Sequence, residues 1–126
     1  MVEKYHIELI STELELFNFI KKKSKDDYFE NPEPQYKILL NKEVSNVRSG
    51  LILVELENDY YELKVGYKGN FKSLLTQDIK NDELSKLIIP LLLPFVRVLI
   101  HNNLREAGFE LMLPTIDVKR SISSDD

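Results

Sequence analysis

The sequence predicts an α+β domain, a four-stranded antiparallel sheet with a long C-terminal helix packed on one face. Three observations predict it. Apolar and polar residues alternate with period two in several segments up to Tyr67, and the period lengthens towards 3.6 beyond Phe71. All strand patterns precede the helical one, the order of a sheet covered on one side and not of alternating βα units. The chain has 126 residues, enough for one modest core, and a single domain is expected over 1–118 with a polar, mobile tail at 119–126.

The first strand is read from Tyr5, Ile7 and Leu9 alternating with His6 and Glu8. Leu14 and Leu16 then fall on one parity and Glu13 and Glu15 on the other, which predicts a bulge near Ser11 and Thr12. Phe17, Phe19 and Ile20 add apolar bulk before the run from Lys21 through Lys25 to Asp26 and Asp27, read as a solvated crossing. Pro32 and Pro34 break the chain, and Tyr36, Ile38, Leu40 and Val44 give a second strand. Arg48, Ser49 and Gly50 read as a turn. The third strand, 51–57, is apolar on both parities at its start and so belongs inside the sheet. Asn58 and Asp59 suit a hairpin. Tyr61, Leu63, Val65 and Tyr67 against Glu62, Lys64 and Lys68 form the fourth strand, wet on one face.

Asn81 or Asp82 is the expected cap of a short helix that Pro90 ends or kinks. A longer helix follows, with Phe95, Val96, Leu99, Ile100, Leu104 and Ala107 at spacings of three and four and Gly108 beyond its end. Arg97, His101 and Arg105 recur every four residues on another flank, which Val98 interrupts with an apolar side chain. A helix with such a flank covers its own sheet and still has a surface for a partner.

Composition excludes more chemistry than it suggests. Lys and Arg number 17 against 21 Asp and Glu, so the chain is acidic and no nucleic-acid partner is expected. There is no cysteine, which removes disulfides, thiol nucleophiles and Cys-based zinc sites. His6 and His101 have no carboxylates at ligand spacing, and no metal is expected. The 4 glycines form no phosphate-binding turn, and the hydroxyl residues find no triad partners, so neither a cofactor nor catalytic residues are expected. Glu3, His6 and Glu8 break any signal-peptide pattern, and the apolar stretch 87–96 is shorter than the ~20 residues a membrane span needs. A soluble protein without membrane insertion is the expectation. The aromatic residues around Pro32 and Pro34, namely Tyr28, Phe29 and Tyr36, either dock their loop on the domain or form an interaction patch.

From Tyr60 onward the sequence resembles the SecB protein-export chaperone family. YYELKVGYKGNF is similar to that family's last strand. LLLPFVRVLIHNNLREAGFELMLPTIDV is similar to its long helix and the segment after it, through Pro94, Phe95, Arg97, Gly108, Phe109, Leu113, Pro114 and Ile116. The first half agrees through YHIELISTELELF, similar to the opening strand, and through the Pro-containing crossover. The resemblance implies a cytoplasmic, ATP-independent holdase for unfolded polypeptides and preproteins, assembled as a homotetramer that is a dimer of dimers. In that reading Phe17, Phe19, Tyr28, Phe29, Tyr36, Leu111 and Met112 line the peptide-binding groove, and Arg97, Val98, His101 and Arg105 form the oligomer interface.

Three departures qualify what carries over. KRSISSDD leaves no room for the family's second helix, so that element is expected to be missing or truncated. The Cys- and His-bearing zinc tail of some members is likewise expected to be missing. Leu14, Asn18 and Lys64 stand where typical members present acids to the SecA motor, which argues against motor docking. A dedicated chaperone of one protein, of antitoxin or phage type and without SecA coupling, is the alternative within the binding class. A small enzyme or ligand-binding domain is the alternative outside it.

Overall fold

The computed structural model describes residues 7–41, 47–73 and 80–110. Its elements are β1 (Ile7–Lys21), β2 (Gln35–Leu40), β3 (Val47–Glu57), β4 (Tyr61–Ser73) and α1 (Asn81–Glu106). The strands form one antiparallel sheet in the order β1-β4-β3-β2, with α1 against β2, β3 and β4. This is the α+β arrangement expected from the order of periodicities. His6, Val44, the segment around Pro114 and the tail 119–126 lie outside the described residues.

The helix-covered face explains the core. Ile52, Val54 and Leu56 of β3 and Tyr61, Leu63, Val65 and Phe71 of β4 are buried, while the intervening residues face the other way. From α1, Leu84, Ile88, Leu92, Val96, Ile100 and Leu104 bury a stripe of one residue every four. By length and hydropathy α1 would also qualify as a membrane span. A core helix meets the same criterion, and here the apolar stripe is spent on the sheet.

Several local expectations need correction. Arg48, Ser49 and Gly50 lie within β3, not in a turn, and Gly50 pairs with Gly69 of β4. A side chain at Gly50 would run into the Ile88 side chain, and one at Gly69 would lie 2.9 Å from Leu92 Cδ2. The two glycines therefore let successive turns of the helix settle on bare backbone. Helix α1 runs unbroken through Pro90 and Pro94. Each proline forfeits one backbone hydrogen bond, but Ile88, Ile89, Leu92, Leu93 and Val96 are buried around them and packing holds the helix together. Its N-cap is Lys80, with no side-chain cap bond, instead of Asn81 or Asp82.

β1 bulges twice, between Leu9 and Ser11 and between Leu14 and Leu16. Each extra residue reverses which parity faces the helix. Leu14 thus pairs with Tyr67 on the covered face and Leu16 with Gly66 on the uncovered one, so the two leucines do not share a side. Between the bulges and beyond them, β1 leaves Ile10, Leu14, Leu16, Phe17 and Ile20 exposed.

The helix ends in a Schellman arrangement: Phe109 N donates to Leu104 O at 2.8 Å and Gly108 N to Arg105 O at 3.1 Å. Gly108 takes φ 91°, which a side chain would oppose. This turn drives Phe109 back under the end of the sheet beside Leu104, both fully buried.

Candidate functional site

Two apolar places stand out, and the chain treats them differently. The first is an aromatic cluster where β1, the β3–β4 turn and the end of α1 meet. Phe109 packs on Tyr61 with ring centroids 4.9 Å apart and on Phe29 at 5.2 Å. Phe29 meets Tyr60 edge-on at 5.0 Å, and Phe19 reaches Tyr61 at 5.9 Å. The crossover segment 22–34 closes over this cluster. Asn58 Nδ2 donates to Glu30 O at 2.7 Å, Asn31 Nδ2 to Glu110 O at 3.2 Å, and Lys22 Nζ to Asn58 O at 3.0 Å. Lys21 Nζ donates to Ala107 O at 2.8 Å, covering a carbonyl at the helix end.

The lysine run has a role that charge alone did not suggest. Lys21, Lys23 and Lys25 lie 5.4, 4.4 and 5.6 Å from the ring centroids of Phe109, Tyr60 and Phe29. Their stems shield the aromatics while their ammonium groups stay wet. The Tyr60 hydroxyl donates to Asp26 Oδ1, which also accepts from Tyr28 N at 2.9 Å. That hydroxyl bond holds the Asp26 carboxyl below its ordinary range and, with burial, pushes the Tyr60 phenol up to about 12. Burial alone pushes Tyr61 to about 12.

The second place is open. A cleft of about 540 Å³ between β1 and α1 is lined by Leu14, Tyr67, Pro94, Phe95, Val98 and Leu99. Tyr67 and Phe95 stack at 5.5 Å with their planes 16° apart. Val98 is 58% exposed. Beside it runs the outer edge of β1, with no strand beyond it among the described residues.

The residues expected to bind peptide are therefore distributed over distinct settings. Phe19 and Phe29 sit in the aromatic cluster, Phe17 on the covered face of β1 opposite Val65, and Tyr36 on the edge strand β2. Tyr28 stands clear of the surface at 87% exposure. Leu111 and Met112 lie outside the described residues. The four helix residues expected at an oligomer interface also divide. Val98 lines the cleft, whereas burial first, and then the charges of Arg97 and Arg105, lower the His101 pKa below its ordinary value. Asn18 and Lys64 face each other on the uncovered side of the sheet. Sequence reading missed Leu14, Tyr67 and Phe95 as neighbours, because their meeting depends on β1 pairing with β4, in the phase set by its first bulge, under the helix.

A four-stranded antiparallel sheet under one long helix is the arrangement of a SecB-like α+β fold. No protein-family model and no curated protein matches the sequence. Among solved structures, the chain is similar to a SecB-like chaperone of Mycobacterium tuberculosis in complex with a peptide from an antitoxin. The TM-score is 0.78 over 90% of this chain and 93% of that one, at 11% identity. It is also similar to a protein of unknown function from Streptococcus agalactiae, with a TM-score of 0.52 over 86% and 97% of the two chains at 12% identity. The fold is thus the one the sequence resemblance implied.

Proposed function

We propose that this protein is a chaperone-like binder that holds extended, non-native polypeptide without ATP, acting in the cytoplasm. The observation that carries this reading is the SecB-like scaffold with both edge strands uncovered among the described residues. An unfolded client offers apolar side chains and unpaired backbone groups, and a free strand edge beside apolar side chains matches both. In this proposal the client engages the crossover side, through exposed Tyr28, through Tyr36 and along β2. The cleft lined by Leu14, Phe95 and Val98, next to the apolar edge of β1, receives a second copy of the chain. An edge this long and apolar invites such pairing.

The test is suppression of light scattering by several unfolded clients, measured together with solution mass. Broad suppression by an oligomer is expected, and Tyr28→Ser should weaken it without moving the melting temperature. A monomer that suppresses nothing overturns the proposal.

A narrower reading has its own support, since the similar Mycobacterium tuberculosis chaperone is held with an antitoxin peptide. Suppression confined to a single client would select a dedicated chaperone over a general one. Coupling to SecA is no part of either reading, because the resemblance implies acids where Leu14, Asn18 and Lys64 stand.

A further inference from the structure

On the β2 flank of α1, the Tyr36 hydroxyl and Arg97 Nε are buried and have no hydrogen-bond partner among the described residues. Buried polar atoms of this kind are costly to leave unmet. The two groups sit on elements that touch, Tyr36 on β2 and Arg97 on α1, and the Arg97 charge opposes the rise that burial gives the Tyr36 phenol. Arginine only donates and the tyrosine hydroxyl can donate as well, so the group that would satisfy both is an acceptor.

The surroundings favour an anionic acceptor. Arg97, His101 and Arg105 recur every four residues, and no acidic residue occurs from 84 to 105. The helix acids lie in its first turn and at its end, as Asp82, Glu83 and Glu106. β2 contributes no acid, and its Lys37 alternates with Tyr36 and so stands on the uncovered face of the sheet. This flank is therefore locally positive on a chain whose net charge is −4. β2 is the outermost strand on this side and touches α1.

We propose that an extended peptide pairs with the free edge of β2 and places an Asp or Glu carboxylate between the Tyr36 hydroxyl and the Arg97 guanidinium. This rests on the client-binding reading above and gives it a side-chain preference: apolar segments that carry an acid in register are held more tightly than those that do not. Arginine suits the role because its planar fork meets a carboxylate with two parallel bonds.

The experiment compares two labelled peptides by fluorescence anisotropy. Each alternates valine and threonine, and they differ only in a central Glu or Gln. At low salt the Glu peptide should bind about tenfold more tightly. Arg97→Gln should abolish that advantage, and a cooperative thermal melt and an unchanged circular dichroism spectrum report that the variant is folded. Arg97→Lys should keep part of the advantage, and Tyr36→Phe should reduce it to about threefold.

Equal binding of the two peptides by the unmodified protein overturns the carboxylate site and leaves the client-binding reading standing. A Glu preference that survives Arg97→Gln also overturns it. Failure to bind either peptide, joined to absence of scattering suppression, overturns both. A solution mass that falls when either peptide is added assigns the β2 edge to a second copy of the chain and overturns the proposal.

Discussion

The aromatic cluster and the β1–α1 cleft draw on the same three elements, β1, β4 and α1, yet one is sealed and the other open. Tyr61 and Tyr67 are on the same face of β4, and Phe109 and Phe95 both arrive from the helix or its end. The difference lies in where the chain goes next. After β1 the crossover folds back over the first place and is fastened by Asn31, Asn58 and three lysines, whereas no described segment returns over the second. Which apolar surface stays available is decided by the path of the backbone, more than by how apolar the side chains are.

The contrast can be broken at its strongest point by Phe109→Ala. Phe109 is fully buried at the hub of the cluster, and its truncation should cost about 3–5 kcal/mol in urea unfolding. Asn58→Ala comes next. It removes the acceptor of Tyr60 N and Tyr61 N, at 2.8 and 3.0 Å, and the donor to Glu30 O, and should cost about 1–2 kcal/mol by the same measurement.

A subtler effect is expected from pH. The phenols of Tyr60 and Tyr61 are raised from 10.0 to about 12, so their contribution to stability is complete below pH 10 and is lost as the pH climbs towards 12. Asp26 runs the other way: its pKa lies below 3.8, so its contribution is present above that value and is lost as the pH falls further. In a tyrosinate absorbance titration, Asp26→Asn should bring one late-titrating tyrosine back towards 10.0 and leave another late; two unshifted late tyrosines would show that the Tyr60–Asp26 bond is not formed in solution. Phe95→Ala should change stability least, by under about 1 kcal/mol, because its ring is 44% exposed and stacked only on Tyr67. The same variant should lower binding of an apolar dye, which sharpens the distinction between a ring that holds the fold and one that offers a surface.

Much of the fold was legible because burial acts through periodicity. β4 shows one buried face from Tyr61 to Phe71, and the stripe of α1 is spaced for a single packed side. Features that depend on two elements meeting were not legible. The helix continues through Pro90 and Pro94 because the sheet holds its turns. Gly50 reads as a turn residue until Ile88 is seen above it. At the candidate sites, the aromatic residues of the crossover could be singled out, but not which of them would dock. Phe29 finds Tyr60 and Phe109 while Tyr28, its immediate neighbour, finds solvent. The alternation of Lys21, Lys23 and Lys25 beside an aromatic loop was the available sign of a shielded cluster, and it reads as mere solubility until the rings are placed.

The glycine pair at the centre of the sheet carries a mechanical consequence. Ile88 and Leu92 seat like pegs over Gly50 and Gly69, and a shift of α1 by one residue would bring other side chains over those hollows. The helix is keyed in place along its length. Adjustment to a bound chain falls to the borders of the scaffold, the strand margins and the crossover, while the middle serves as a fixed anvil.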